Sequence, residues 1–196
     1  MAVYRIEGCQ WNCYTGTTVL INKLGITDQR ELDSVEKQIT LLRGTQAEQE
    51  TEFRDVDFEF YKSLHGTLFG DLYDWAGKLR TINISKKGTV FCKHTELEHL
   101  GTLKFARLRE LDFLCGMPDS KFLDELTEFY HEMNMLHPFR EGNGRTLRLF
   151  VTLLVRNTGR DIDFARCDTD LLTIAAVRAA QGDTSLLRDT LSEVIG

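Results

Sequence analysis

The chain has 196 residues, a mass of 22.5 kDa and a formal net charge of -6, with a pI of about 5.4. This acidic balance disfavours non-specific binding to DNA or RNA, which requires a basic surface, so no direct nucleic-acid partner is expected. The sequence shows neither a secretory segment nor an apolar run of bilayer length, and we therefore expect a cytoplasmic protein that does not bind membranes.

The predicted elements begin with an irregular arm over residues 1–26, where turn-forming residues surround one apolar stretch. Asp28, followed by Glu31 three positions later, indicates a helix start. One apolar face then continues to about Arg43. Residues 44–52 are polar and acidic, and we predict a loop there.

The arm also contains two of the five cysteines of the chain, Cys9 and Cys13. Five scattered cysteines are interpreted as reduced thiols. No second close pair of cysteines or histidines completes a zinc-binding set, and the role of this segment stays open.

A second helix is predicted from Val56 to Phe69, with His65 as a packed core histidine on its apolar face. Residues 72–76 are expected to form another short turn or helix. Residues 80–92 behave differently, because apolar and polar side chains alternate around a Lys87-Gly88 turn, which is typical of a β-hairpin. A lone hairpin on a helical protein buries little surface, so we interpret it as a flap.

Helical periodicity returns after the flap, over residues 95–115, 119–136, 144–157 and, as two helices, 168–196. Asp119 or Ser120 is expected to cap the second of these helices. Pro138 ends it, because proline disfavours helical geometry in the residue before it.

Only two prolines occur in the chain, so the predicted fold class is all-α, a helical bundle with a small β-hairpin flap beside the loop that starts at His137. We divide the chain into an N-terminal arm and helix (1–54), a core (55–165) and the C-terminal helices of the same domain (166–196).

The segment from His137 to Arg148, HPFREGNGRTLR, is a polar loop between two apolar helices. Gly142 and Gly144 allow a tight turn that leads into a helix N-terminus, where free N–H groups and the helix dipole bind anions. Arg145 and Arg148 are three positions apart, so both can project toward that anion.

Three further side chains complete this segment. Asn143 adds a side-chain donor, Glu141 supplies an oxygen ligand of the kind that Mg²⁺ prefers, and His137 titrates near neutral pH, as a general base should. Together these are the parts required for transfer from a nucleoside triphosphate. A Gly-Asn-Gly turn that merely joins two helices is the alternative, but it does not explain this crowding of polar residues.

Every specified position of the segment matches the signature His-x-Phe-x-[Asp/Glu]-Gly-Asn-Gly-Arg-x-x-Arg, and the chain therefore resembles the Fic (filamentation induced by cAMP) family. Residues 72–80 resemble the family's segment before its flap, and residues 19–26 resemble the N-terminal arm of its bacterial toxin branch. The resemblance implies a Fic fold that transfers AMP from ATP, with Mg²⁺, to a Ser, Thr or Tyr hydroxyl of a target protein.

The resemblance also implies individual roles. His137 would deprotonate the target hydroxyl, Glu141 would hold Mg²⁺, and Phe139 would anchor the loop. The nucleotide phosphates would be bound by Gly142, Asn143, Gly144, Arg145 and Arg148. The flap would hold the target by strand addition through Lys86, Gly88, Thr89, Val90 and Phe91. Lys86 and Lys87 fit either an acidic target or a solvated turn.

Two other functions stay open. Doc relatives, which phosphorylate their targets, carry lysine at the position of Gly144, so glycine here favours nucleotidyl transfer over a Doc-like phosphotransferase. The other is a regulatory module that binds nucleotide without turnover. Such a module would not need both His137 and Glu141.

Many family members contain an inhibitory helix with the pattern [Ser/Thr]-x-x-x-Glu-[Gly/Asn]. Thr27 with Glu31 has the required spacing, but Leu32 follows where glycine or asparagine belongs. The resemblance therefore implies a toxin whose inhibitor is a separate small antitoxin carrying that helix. DNA gyrase and topoisomerase IV are targets of close relatives, and a topoisomerase of this type is the expected target.

Overall fold

The computed structural model describes residues 12–86 and 88–196, together with the backbone of residues 5 and 6. Cys9 and Lys87 lie outside the described residues. The helices are α1 (Gln29–Glu50), α2 (Phe58–Phe69), α3 (Leu97–Glu110), α4 (Asp119–Leu136), α5 (Asn143–Asn157), α6 (Thr169–Ala179) and α7 (Ser185–Val194). Short 3₁₀ turns lie at His94–Glu96, Asp112–Leu114 and Phe164–Arg166. The predicted all-α fold class is confirmed.

The first helix is longer than predicted, and the loop expected over residues 44–52 is wrong for residues 44–50, since the helix ends only at Glu50. α1 continues to Glu50 because its inner face stays packed on α2. Gly44 faces Leu68 of α2, and Ala47 is buried. The polar side chains of this stretch lie mostly on the outer face of the helix, so their polarity does not signal a loop.

Other boundaries follow from capping. Asp28 caps α1 as predicted, and α2 starts directly after its own cap, Asp57. The cap predicted at Asp119 or Ser120 is wrong, because both residues lie inside α4. The Asp119 carboxylate instead pairs with Arg160 at 2.8 Å. The helix predicted over residues 95–115 is α3 flanked by two 3₁₀ turns.

α5 lies at the centre of the bundle, in contact with α1, α2 and α4. Its Phe150 is fully buried and touches the rings of Tyr61, Phe105 and Phe129. This packing fixes the N-terminus of α5 and the loop before it. Within the described part of the chain, no helix combines the length and apolarity that a membrane span requires.

The flap is present as predicted, and it gains a third strand from the N-terminal arm. β2 (Ile84–Lys86) pairs antiparallel with β3 (Thr89–Val90), with Ser85 opposite Val90. β1 (Arg5–Ile6) pairs with the other edge of β2. β2 is therefore the central strand, and β1 covers its outer edge.

Candidate active site

The loop between α4 and α5 begins with a residue in an unusual backbone conformation. His137 has φ 45° and ψ 60°, in the left-handed region that side chains disfavour. Arg80, which is 2% exposed, donates from Nε to the His137 carbonyl at 2.8 Å, and its backbone N–H donates to Pro138 O at 2.9 Å. The same guanidinium donates to the carbonyls of Ile82 and Cys92 at the base of the flap. Arg80 thus ties the flap to the loop.

The imidazole of His137 is held in one orientation and one tautomer. Nδ1 lies 3.0 Å from the carbonyl oxygen of Asn134, which can only accept, so Nδ1 carries the proton and Nε2 is the basic nitrogen. The ring stacks on Phe91 of the flap with centroids 3.8 Å apart. Burial lowers the pKa of His137 to about 3, and the charges of Lys86 and Arg80 act in the same direction. The ring is therefore neutral at physiological pH.

This depressed pKa predicts how stability and the His137 NMR signals depend on pH. The ring signals should stay constant from about pH 8 to pH 5. A histidine of the unfolded chain titrates near pH 6.5, so the unfolded state binds the proton first and stability falls as the pH drops from about 6.5 toward 3. Urea denaturation measures the free energy of unfolding at each pH. Between pH 6.5 and pH 5 this free energy should fall by about 2 kcal/mol less in His137→Asn than in wild type. A His137 signal that titrates near pH 6.5 would contradict this interpretation.

The carboxylate of Glu141 lies beside the N-terminus of α5. It is buried, and its Oε1 accepts from the N–H of Gly142 at 3.0 Å. Burial raises the pKa of Glu141, whereas the Gly142 N–H and the charges of Lys86 and Arg145 oppose that rise. The described residues contain no cluster of three or more metal-binding side chains. A single carboxylate fits Mg²⁺, which completes its coordination with phosphate oxygens and water.

The N-terminus of α5 offers an anion cradle. Gly142 has φ 82°, and a Cβ added there would lie 2.3 Å from the ring of Phe69, so only glycine fits. Thr146 N–H makes the first bond along the helix, to Gly142 O at 3.1 Å. The amides of residues 143–145 precede it, have no partner within the helix, and form the positive end of the helix dipole.

The side chain of Asn143 turns toward the start of the loop, and its predicted role as a donor to the anion stays a prediction. Its amide group exchanges two hydrogen bonds of 2.8 Å with the backbone of Phe139. What Asn143 presents at the helix N-terminus is its backbone N–H. Phe139 is fully buried and stacks on His65 at 3.9 Å, as an anchor of the loop requires.

His65 is the buried core histidine that the sequence predicts, and it also supports the loop. Its Nδ1 accepts from Gly77 N–H at 2.9 Å, so Nε2 carries the proton and donates to the carbonyl of Glu141 at 3.0 Å. Burial lowers the pKa of His65 to about 3, which keeps it neutral. The sequence contains one signal for this contact, a polar side chain on an apolar face, which needs a partner when buried.

Both arginines of the motif project from the first turns of α5. The guanidinium of Arg145 donates to Oε1 of Glu36 at 2.6 Å and lies over the ring of Phe69 at 4.7 Å. Burial raises the pKa of Tyr130 to about 12, and the nearby guanidinium of Arg148 opposes that rise.

A cavity of about 230 Å³ brings most of the predicted residues together. It is lined by His137, Glu141, Gly142, Gly144, Arg145 and Arg148, with Lys86, Thr89 and Phe91 from the flap. Its other wall is α6, through Thr169, Leu172, Thr173, Ala176 and Val177, which sequence reasoning missed because no polar motif marks that helix. Gly88 and Val90 do not line the cavity and are exposed.

Comparison with known proteins places this site in a family. The pattern of the Fic/DOC family matches residues 55–155. The chain is 35% identical over 184 residues to "Probable protein adenylyltransferase y4lH" of Sinorhizobium fredii, across 93% of this chain and 94% of that protein. It is also 35% identical over 171 residues to protein adenylyltransferase VbhT of Bartonella schoenbuchensis, across 87% of this chain.

This chain spans 36% of the length of VbhT. The crystal structure of BepC from Bartonella tribocorum, solved with bound AMPPNP, shares the fold, with a TM-score of 0.89 at 24% identity over 95% of this chain and 97% of that one. The sequence signature, the matched family pattern and the y4lH relative agree, and this chain belongs to the Fic/DOC family.

Proposed function

We propose that this protein transfers AMP from Mg-ATP to a Ser, Thr or Tyr hydroxyl of a target protein. The observation that carries the proposal is one cavity that holds a neutral histidine, a carboxylate, a helix N-terminus and two arginines. The names of the relatives that are 35% identical, both protein adenylyltransferases, support the reaction type. The protein is accordingly a nucleotidyltransferase.

In the proposed reaction, Nε2 of His137 takes the proton of the target hydroxyl, while the oxygen of that hydroxyl attacks the α-phosphorus of ATP. The new P–O bond forms, the bond from the α-phosphorus to the bridging oxygen breaks, and pyrophosphate leaves with the electron pair. The residues at the α5 N-terminus bind the α- and β-phosphates, Arg145 the β/γ-phosphates and Arg148 the γ-phosphate. Glu141 would hold Mg²⁺, which would supply further positive charge to these phosphates.

ATP labelled on either the α- or the γ-phosphate tests the proposal. The purified protein is incubated with Mg²⁺, each ATP and cell lysate, beside a His137→Ala control. Protein labelled from the α-phosphate alone, and lost in the control, is the expected result. Label from the γ-phosphate alone would establish a Doc-like phosphotransferase, and bound ATP without any label would establish a nucleotide-binding module.

Gly144 favours nucleotidyl transfer over the Doc-like alternative. It is exposed at the mouth of the cavity, and a Cβ there would lie 3.4 Å from Nη1 of Arg148. The lysine that Doc relatives carry at this position would place a second cation beside Arg148, where glycine leaves room for the nucleotide.

The proposed target segment adds as a strand to β3. Phe91 N–H donates to Ile84 O at 3.3 Å, so the N–H and C=O of the preceding Val90 point away from β2. Val90 is 73% exposed, and Thr89 beside it lines the cavity. Among the described residues no strand pairs with the outer edge of β3, and this open edge runs next to the proposed base.

Replacing Val90 with proline removes the outward N–H. We expect target labelling to fall by up to about tenfold, since one hydrogen bond to the docked strand is lost. Binding of ATP, measured by calorimetry, should be unchanged. Val90→Ala, which keeps the N–H, is the matched control, and an equal loss in both variants would contradict docking through the backbone of β3.

We further propose that the protein is a cytoplasmic toxin restrained by a separate small antitoxin. A groove of about 510 Å³ between α1 and α5 reaches both Arg145 and Arg148. Leu41 lies at its edge and is 69% exposed. An inhibitory helix seated there would bring its glutamate to the arginines and exclude the γ-phosphate.

Expression without any partner is expected to arrest growth, and His137→Ala should remove that effect. If the protein made without a partner were soluble, fully active and non-toxic, the proposal of a separate antitoxin would be contradicted. The proposed topoisomerase target is tested separately, by incubating purified DNA gyrase and topoisomerase IV with the enzyme and α-labelled ATP. Unlabelled subunits would exclude them as targets.

A further inference from the structure

The guanidinium of Arg145 is held in place by hydrogen bonds to two side chains of α1. Nη2 donates to Oε1 of Glu36 at 2.6 Å, and Nη1 donates to Oγ1 of Thr40 at 3.3 Å. Thr40 is itself fixed, since its hydroxyl donates to the carbonyl of Glu36 at 2.7 Å. Phe69 lies against the guanidinium face. The orientation of Arg145 is thus set by side chains more than 60 residues away in sequence.

The carboxylate of Glu36 is buried and fully engaged. Its side chain is 4% exposed, Oε1 faces Arg145, and Oε2 accepts from the hydroxyl of Tyr73. Burial and the nearby Glu36 carboxylate raise the pKa of Tyr73, so the hydroxyl keeps the proton that it donates. Removing the partners of a buried carboxylate is costly, which makes this arrangement rigid.

We infer that Glu36, together with Tyr73 and Thr40, is a positioning residue that aims Arg145 at the phosphates beyond the α-phosphate. A guanidinium has five N–H donors in a rigid fork, so the contacts to Glu36 and Thr40 leave donors for an anion. The side chain of Arg145 is partly exposed in the cavity, where such an anion would lie. The inference rests on the proposed function, which assigns Arg145 to the β/γ-phosphates.

The opposite role for Glu36 is that of an internal competitor. A carboxylate bound to Arg145 can occupy the donors that a phosphate needs. The two roles differ in the sign of the effect. A positioning residue supports nucleotide binding, so its loss weakens binding, whereas the loss of a competitor strengthens it.

Glu36→Met tests the inference, because methionine has a similar volume and no carboxylate. Affinities for AMP, ADP and AMPPNP are measured by titration calorimetry with Mg²⁺. We expect the dissociation constants of ADP and AMPPNP to rise by about tenfold or more, and that of AMP to stay within about twofold. Glu36→Gln, which keeps one acceptor for Arg145, should restore part of the loss.

Glu48→Gln is the matched control. Glu48 joins the same two helices through Arg156 at 3.0 Å, on an exposed part of α1 and α5. Removing this ion pair tests whether the loss of any contact between α1 and α5 affects nucleotide binding. We expect the dissociation constants of all three nucleotides to stay unchanged. If Glu36→Met does not fold, Tyr73→Phe is tested in its place, since it removes one hydrogen bond to Glu36. We expect it to raise the dissociation constant of ADP by about threefold and to leave that of AMP unchanged.

Three results would overturn the inference. An equal loss of affinity for AMP would show a general structural role, tighter binding of ADP would show a competitor, and unchanged affinities would show no role. Failure of the wild type to bind ADP at all would refute the proposed function itself, and this inference with it. Wild-type binding with an unaffected Glu36→Met variant refutes the inference alone.

Discussion

Replacing His137 with alanine is expected to lower the rate of AMP transfer by about 10²- to 10⁴-fold, the range that a general base contributes. The ring presents Nε2 as its basic nitrogen, because Nδ1–H is committed to Asn134 O. No other imidazole lines the cavity among the described residues. Incorporation of α-labelled phosphate at saturating ATP measures the rate, and calorimetry should show that ATP still binds.

His99→Ala is the matched control for this experiment. His99 is exposed on α3, and its removal should leave the rate within about twofold of wild type. A His137→Ala variant that retained more than a third of the wild-type rate would show that proton removal is not its role, and that the target hydroxyl loses its proton to another group.

Gly142→Ala is expected to cause the largest loss of stability in the loop. The new Cβ would lie 2.3 Å from the ring of Phe69, and φ 82° is strained for alanine. Strain of about 1–2 kcal/mol and overpacking of about 1–3 kcal/mol add up to roughly 2–5 kcal/mol. In thermal unfolding this corresponds to a fall of about 4–20 °C. Labelling activity should fall as well, because the cradle moves.

Gly159→Ala separates the two causes. Gly159 has φ 81°, like Gly142, but nothing lies within 4 Å of an added Cβ. This control should therefore show the strain alone. Adding Phe69→Leu to Gly142→Ala should recover part of the overpacking loss. Equal destabilisation of the two glycine variants would mean that the ring of Phe69 moves aside at no cost.

The sequence predicts the core of the site well because the segment from His137 to Arg148 is contiguous. Local spacing suffices to place its glycines and arginines at one helix N-terminus. The side-chain direction of Asn143 was not accessible in the same way, because its bonds to Phe139 depend on how the loop closes. The division into residues 1–54, 55–165 and 166–196 stays a prediction.

Contacts between distant parts of the chain were beyond sequence reasoning. Glu36 reaches Arg145 across 109 positions, and His65 reaches Glu141 across 76. Neither residue has a neighbour in sequence that marks its role. The end of α1 was missed for a related reason, because the burial of Ala47 depends on α2 and not on the polar residues around it.

The bonds made by Arg80 have a consequence for the choice of the modified residue. One buried guanidinium fixes the carbonyl of His137 and the two ends of the flap, at Ile82 and Cys92. The separation between the base and the open edge of β3 is therefore nearly constant. A docked strand presents its side chains at intervals of about 3.3 Å per residue, alternately to opposite faces. If the target docks on β3 as proposed, only a hydroxyl at one register position of that strand would reach Nε2, and the enzyme would select its acceptor by distance along the backbone more than by the identity of the flanking side chains.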